Sequence, residues 1–174
     1  HHLQPHEWAL PTPCRDWTVR DLVSHVVAEQ RWIPLLVAQR LDVEAAEREL
    51  TGDGDLLSAG ETLEPTPYAA WDAAAGPAIL SFAALESLDV EVGLSRGPTP
   101  ARDYLGELTV DLAVHAWDLG QAIGMTDPLP DDLAAFCLDL VQGWGDLSGS
   151  GMFDPPVAVP DGAPLTDRLV AAAG

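Results

Sequence analysis

The chain has 174 residues, enough for one domain with a sizeable core, and its 47% hydrophobic and 21% charged residues are typical of globular proteins. Its net charge of -20 repels phosphate backbones and anionic lipid surfaces, so nucleic acids and membranes are not expected partners. No apolar run is long enough to cross a bilayer, and two cysteines are too few for a disulfide framework. With no secretory signal visible, we expect a cytoplasmic protein that forms a single domain over residues 1–174.

The first helix is predicted to begin after a proline-rich opening, because three prolines within residues 1–17 prevent a continuous helix there. Thr18, followed three residues later by Asp21, resembles a capping box and marks a helix start. Pro34 is expected to bend this helix or to end its regular hydrogen bonding. One face of the helix follows the helical spacing, with Leu22, His25, Glu29, Trp32 and Leu36.

The next part of the chain is predicted to contain a loop and a second, interrupted helix. Residues 42–67 are acidic and then rich in Gly, Thr and Pro, which is typical of a loop. Residues 68–85 are rich in alanine and indicate a helix, with an interruption expected at Gly76 and Pro77.

A third helix is predicted from Pro100 to about Gly124. Residues 92–103 indicate a loop leading into it, in which Thr99 can cap the helix and Pro100 suits its first position. Gly124 is a natural terminator.

A fourth helix is predicted over residues 130–145, with aspartates in its first turn. The remaining tail, about 148–174, is rich in Pro and Gly and ends in a short amphipathic turn. No stretch indicates a strand, so four helices joined by loops predict an all-α fold, a four-helix bundle.

A histidine stands in the apolar row of the third helix. His115 continues the spacing of the leucines around it, so its side chain is predicted to face the core, with Asp111 one turn earlier on the same side. His25 occupies the equivalent place in the first helix. Imidazole and carboxylate groups on facing helices can hold zinc, nickel or iron, and three ligands leave one position open for water or substrate. The spacing therefore makes His25, Asp111 and His115 candidate metal ligands.

Other interpretations of these residues stay open. A histidine in an apolar row is more often a satisfied core residue than a ligand. Glu29 and Asp118 can hydrogen-bond ligand histidines, or they can face solvent. Cys14 lies close to a helix start, but no histidine near it in the sequence could act as its base, which favours a structural role. The sequence names no catalytic acid or base.

Two motifs carry a resemblance to a known family. The stretch "PTPCRDWTVRDLVSHVVAEQ" and, much later, "VDLAVHAWDLGQAIG" resemble the mycothiol-dependent maleylpyruvate isomerase-like family of the DinB/YfiT-like superfamily. The resemblance extends over roughly Trp8 to Gly124. It implies a DinB-like four-helix bundle that holds a divalent metal through His25, Asp111 and His115, the same three positions that the spacing selects.

The resemblance also implies thiol-dependent chemistry on a small electrophilic substrate. Zinc is the first expectation for the metal, with nickel or iron as alternatives, and mycothiol is the implied thiol cosubstrate. All eight basic residues are arginines, and lysine and asparagine do not occur, a bias expected of a GC-rich genome. Such a composition fits an actinobacterial source, because mycothiol is the thiol of high-GC Gram-positive bacteria.

Three departures from the family pattern limit what can be carried over. Asp111 stands where the isomerase itself has a glutamate. We also expect an incomplete first helix before "PTPC" and a short tail in place of the C-terminal domain of the isomerase. Maleylpyruvate is therefore not the expected substrate.

The leading hypothesis is a metal- and thiol-dependent transferase or isomerase whose partners are a small thiol and an electrophile, with a homodimer left open. The alternatives are a non-catalytic metal- or ligand-binding module, acting as a sensor or partner domain, and a hydrolase that uses metal-bound water.

Overall fold

The protein is built mainly from α-helices, which confirms the prediction of an all-α, DinB-like fold. The computed structural model describes residues 3–51, 63, 66–126, 129–145, 155–160 and 162–174. Within these ranges the helices are α1 (Val19–Ile33), α2 (Val43–Thr51), α3 (Pro67–Ala83), α4 (Ala101–Ala122), α5 (Asp131–Trp144) and α6 (Leu165–Ala173). One antiparallel hairpin joins β1 (Glu91–Leu94) to β2 (Gly97–Pro100). None of the described helices has both the length and the apolar character needed to pass through a bilayer.

The chain divides into two compact units. The first unit consists of His1–Pro11 and Asp16–Leu105, and the second of Thr12–Arg15 and Gly106–Gly174. The first unit contains α1, α2, α3 and the hairpin, the second contains α5 and α6, and α4 begins in the first and continues in the second. The expectation of a single domain over residues 1–174 stays a prediction.

Helix α1 begins where the sequence predicts. The backbone N–H of Asp21 donates to the Thr18 hydroxyl at 3.4 Å, and the Asp21 carboxylate accepts from the backbone N–H of Thr18 at 2.9 Å. This exchange satisfies N–H groups that the first turn of a helix leaves unpaired. At the other end, Pro34–Ala38 forms a π-helical turn, in which Gln39 N–H donates to the Pro34 carbonyl at 3.0 Å. Pro34 therefore ends the regular hydrogen bonding of α1, as predicted.

Helix α3 runs through Gly76 and Pro77 without the predicted interruption. A proline inside a helix removes one hydrogen bond and costs about 3 kcal/mol. Alanine has the highest helix propensity, and α3 is rich in it, which offsets part of this penalty. Packing supplies more, because the core of the first unit contains Val27, Leu63, Ala70 and Ala74, with Trp8 and Val23 against them.

Helix α2 lies in a stretch that the sequence predicts to be a loop. The Asp42 carboxylate accepts from the backbone N–H of Ala45 at 2.8 Å and begins the helix, and Ala46 is buried. The glycine-rich continuation of that predicted loop, residues 52–62, lies outside the described residues.

The hairpin corrects the expectation of a loop over residues 92–103. Val92 and Thr99 pair across the strands, and both are buried. Their burial fixes the hairpin against the rest of the first unit. Gly97 adopts a φ of +112° directly after the two-residue tip, a conformation that glycine accepts readily. Because Thr99 is part of β2, it does not cap α4, which begins at Ala101. Glycine and proline in the strands conceal this hairpin from propensity arguments.

The second unit has its own core, between α4, α5 and α6. Its buried members are Val110, Ala113, Leu129, Cys137, Leu138, Val141 and Leu169. The C-terminal tail is therefore more than the predicted amphipathic turn, because α6 contributes Leu169 to this core. The Val157 N–H donates to the Ala171 carbonyl at 2.7 Å and ties residues 155–160 to α6. The predicted tail also includes residues 148–154 and 161, which lie outside the described residues.

We predict that Thr18→Ala lowers the free energy of unfolding by about 1 kcal/mol, because it removes the side-chain oxygen that accepts from the first turn of α1. Urea unfolding followed by circular dichroism measures the change. Thr18→Ser keeps a hydroxyl at this position and should stay close to the wild type. Equal stability of the alanine and serine variants would contradict the capping role.

Leu169→Ala is expected to destabilise the protein by about 2–5 kcal/mol, because it opens a cavity beside a fully buried side chain. The matched control is Leu80→Ala on α3, where the leucine is 68% exposed and the change should stay within about 0.5 kcal/mol. Thermal unfolding of the two variants gives the comparison. A small effect at Leu169 would mean that α6 does not stabilise the second unit.

Candidate metal centre

Three ionisable side chains of the second unit lie on one side of α4. Asp111, His115 and Asp118 are spaced by four and three residues, so an unbroken helix places them in successive turns on neighbouring positions. The side chain of His115 is 14% exposed, that of Asp118 6%, and that of Asp111 36%. The histidine therefore lies between one buried and one half-exposed carboxylate.

Each ring nitrogen of His115 faces a different carboxylate. Nδ1 lies 3.0 Å from Oδ2 of Asp118, within hydrogen-bond distance, so Nδ1–H donates to this oxygen. Nε2 lies 3.4 Å from Oδ1 of Asp111. A carboxylate bonded to one nitrogen of a histidine fixes the ring plane and leaves the other nitrogen directed outward. In this arrangement Nε2 is the nitrogen that points toward Asp111.

Cys14 joins this cluster from the segment Thr12–Arg15 of the second unit. Its Sγ donates to Oδ2 of Asp118 at 3.2 Å and lies 3.8 Å from Nδ1 of His115. The structure therefore places beside Cys14 a histidine that the sequence near it lacks, and the expectation of a structural role for this cysteine stays a prediction. No spacing rule could have found this contact, because 101 residues separate Cys14 from His115.

The cluster does not have the geometry of a catalytic triad. In a triad, one histidine nitrogen faces the nucleophile and the other nitrogen bonds the carboxylate. Here Cys14 and Asp118 both approach Nδ1 of His115, and that nitrogen is already engaged by the carboxylate. The cysteine and the histidine therefore do not form a nucleophile–base pair in this arrangement.

The charges around His115 change its protonation. Burial opposes the imidazolium and by itself would lower the pKa of His115, but hydrogen bonds with Asp111, Asp118 and Cys14 outweigh burial. Together they raise the pKa of His115 from 6.5 to about 11. In metal-free protein the ring is therefore charged at neutral pH. Since metal ligation requires a neutral imidazole, a cation at Nε2 would displace one proton.

The ligand chemistry of this cluster fits a divalent cation. Cys14, His115 and Asp118 each present a ligand atom within 4.8 Å of the others. On the opposite side of the ring, Nε2 of His115 and Oδ1 of Asp111 are 3.4 Å apart. Ligand atoms bonded to a tetrahedral zinc at about 2.0–2.1 Å lie roughly 3.4 Å from each other. The spacing of Nε2 and Asp111 therefore suits adjacent ligands of one ion.

The third predicted ligand, His25, lies in the first unit. It is half-buried on α1, and its ring centroid is 5.0 Å from that of Trp17, with the planes tilted by 52°. Glu29 follows one turn later and is also half-buried. The expectations that His25 binds a metal and that Glu29 orients a ligand stay predictions.

The protein is mainly helical and has a His/Asp cluster on one long helix, an arrangement from which helical bundles can build metal sites. Residues 1–120 match the family described as the mycothiol maleylpyruvate isomerase N-terminal domain, and the chain belongs to this family. The family resemblance read from the two sequence motifs is thereby confirmed.

Two relatives come from Mycobacterium tuberculosis. Uncharacterized protein MT0763 of strain CDC 1551 / Oshkosh and uncharacterized protein Rv0738 of strain ATCC 25618 / H37Rv are each 32% identical to this chain over 124 residues. The match covers 71% of this chain and 59% of each relative, so the chain spans about three fifths of their length. No solved structure matches the chain.

We predict that Asp118→Asn lowers the pKa of His115, because it removes the negative charge that bonds Nδ1–H. A proton NMR titration of the ring in chelator-treated protein measures this pKa. The control Asp139→Asn removes an exposed carboxylate from α5 and should leave it unchanged. An unshifted pKa in Asp118→Asn would contradict the hydrogen bond.

The same shift predicts how stability depends on pH in metal-free protein. Folding raises the pKa of His115, so its imidazolium contributes to the free energy of unfolding. This contribution is complete below pH 6.5 and disappears as the pH rises toward about 11. Urea unfolding across this range should show the decline in the wild type and a weaker decline in Asp118→Asn. Parallel profiles for the two proteins would count against the coupling.

Proposed function

We propose that the chain is a divalent-metal-dependent enzyme that uses a low-molecular-weight thiol, mycothiol, to transform a small electrophile by transfer or isomerisation. The observation that carries this proposal is the arrangement of His115, whose Nδ1 is engaged by Asp118 while Nε2 faces Asp111. Mycothiol is proposed as the thiol because the description of the family to which the chain belongs names it.

The proposed metal ligands are Asp111, His115 and His25. Asp111 and His115 are supported by the 3.4 Å spacing between their ligand atoms and by the partly exposed position of Asp111. His25 is supported by the helical spacing of the sequence and by the family resemblance. Zinc accepts such a set of imidazole and carboxylate ligands, as do nickel and iron, and three protein ligands leave a position for a small molecule.

Asp118 and Asp111 would have different roles beside His115. Asp118 keeps Nδ1–H of His115 engaged, so the imidazole presents Nε2 in one orientation. Asp111 supplies the negative charge beside it. When bound, a divalent ion stabilises the thiolate form of a thiol, which is the nucleophilic form. Asp111 is one methylene shorter than the glutamate of the isomerase, so it would hold a ligand oxygen closer to α4, and this can shift the metal or change which metal is preferred.

The net charge and the cysteines of the chain support proposals for its partners and its location. The net charge of -20 disfavours nucleic acids and anionic membranes, so the proposed partners are small molecules. Cys14 and Cys137 are both free thiols, and unpaired cysteines are typical of reducing compartments. We therefore propose a cytoplasmic location.

Elemental analysis of protein purified without an added tag should give about one zinc, nickel or iron per chain. His115→Ala and Asp111→Asn should each lower metal affinity by about tenfold or more, because each removes a proposed ligand. His25→Ala tests the third ligand separately. Removing the metal from the wild type should slow the conjugation of mycothiol to chlorodinitrobenzene by about 100-fold.

Two matched variants control for the loss of any histidine or aspartate. His6→Ala removes an exposed imidazole of the first unit, and Asp139→Asn removes an exposed carboxylate of α5. Both should keep wild-type metal content. Full metal content in His115→Ala, or no metal in the wild type after equilibration with zinc, nickel and iron, would overturn the proposal. Full metal content without thiol conjugation would favour the binding-module alternative.

A further inference from the structure

Two donors converge on a single oxygen of Asp118. Nδ1–H of His115 donates to Oδ2 at 3.0 Å, and Sγ–H of Cys14 donates to the same Oδ2 at 3.2 Å. The carboxylate is 6% exposed, so it depends on protein donors in place of water. The cysteine thus bonds to the same atom that orients the histidine.

We infer that Cys14 is a positioning residue of the metal centre, which holds the Asp118 carboxylate against Nδ1 of His115 and so keeps Nε2 directed toward Asp111. The effect of Cys14 on metal binding rests on the proposed function. Its effect on the orientation of His115 does not depend on a metal. Without the thiol, Oδ2 keeps one donor instead of two, and the carboxylate is freer to turn away from the ring. The orientation of His115 would then be less well defined, although no metal ligand has been removed.

The convergence on one oxygen favours this role over direct ligation by Cys14. A cation bound by Cys14 together with Asp118 or Nδ1 of His115 would have to displace the hydrogen bonds that these groups make with one another. The Sγ–Oδ2 distance of 3.2 Å fits a thiol that donates to a carboxylate. Cys137 does not have this role, because it is fully buried in the core of the second unit.

The test compares two substitutions of the same residue. Cys14→Ser keeps an O–H that can donate to Asp118, whereas Cys14→Ala cannot donate. Zinc binding measured by competition with a chromophoric chelator should weaken about three- to tenfold in Cys14→Ala, less than the 10- to 100-fold typical of losing the direct partner of a ligand histidine. Cys14→Ser should stay within about twofold of the wild type.

A second measurement needs no metal. Solvent exchange of the His115 Nδ1 proton, followed by NMR in chelator-treated protein, should be about fivefold faster in Cys14→Ala than in the wild type. It should be close to wild type in Cys14→Ser. Thermal unfolding of the same variants separates this effect from a general loss of stability.

A third comparison tests the route through Asp118. In an Asp118→Ala background, the alanine and serine variants of Cys14 should bind zinc equally, because the acceptor oxygen that connects the thiol to the ring is gone. A remaining difference would show that Cys14 acts by another path and would overturn the inference.

Other outcomes also overturn it. If Cys14→Ser loses zinc as strongly as Cys14→Ala, the sulfur itself is needed. Cobalt-loaded wild-type protein would then show a sulfur-to-cobalt charge-transfer band that Cys14→Ser lacks, which identifies a metal ligand. If neither variant changes zinc binding or proton exchange, Cys14 has no role at the site. Failure of the proposed function appears separately, as full metal content in His115→Ala, and the metal-free exchange measurement remains decisive for Cys14.

Discussion

The hydrogen bond between Asp118 and His115 connects the buried part of the candidate site to its exposed part. A carboxylate that is almost entirely shielded from water is stable only where donors satisfy it, and a charged imidazole ring in the same environment needs an acceptor. Each group therefore makes the burial of the other acceptable. The bond also decides which nitrogen of the ring is engaged, so the approach of Cys14 and the outward direction of Nε2 both depend on it.

Helix α4 can carry this bond because it is long and unbroken and is held at its start and along its middle. At its start, the N–H groups of Ala101 and Arg102 donate to the carbonyls of Val90 and Leu88, at 2.8 and 2.9 Å. These bonds anchor the helix to the hairpin side of the first unit more firmly than the exposed Arg102–Asp89 ion pair can. Within the second unit, Val110 and Ala113 bury the opposite side of α4. The core thereby fixes the rotation of the helix and, with it, the direction of His115.

Local patterns in the sequence predict what local physics determines. The capping box of α1 involves residues three apart, and Asp111, His115 and Asp118 share one side of α4 because helical geometry alone brings them together. Features that depend on distant contacts could not be predicted in this way. The contact between Cys14 and His115 spans most of the chain, and its only sequence signal is the family motif that contains the cysteine.

Tertiary packing also overrides local propensity in two places. Pro77 argues for a break in α3, but an alanine-rich helix packed on α1 tolerates it. Strands β1 and β2 have unfavourable compositions, yet the buried pair Val92 and Thr99 holds them together. The predicted break in α3 and the predicted loop at β1 and β2 were both wrong, because tertiary packing stabilises these elements.

The unequal burial of the two carboxylates beside His115 gives the imidazole two chemically different sides. Toward Asp118 the ring meets a fixed counter-charge that is shielded from bulk solvent, and toward Asp111 it meets a carboxylate whose side chain is 36% exposed. Water therefore reaches the carboxylate on the Nε2 side more readily than the carboxylate on the Nδ1 side. One edge of the ring is therefore held by a shielded carboxylate, and the other edge faces a carboxylate that solvent reaches.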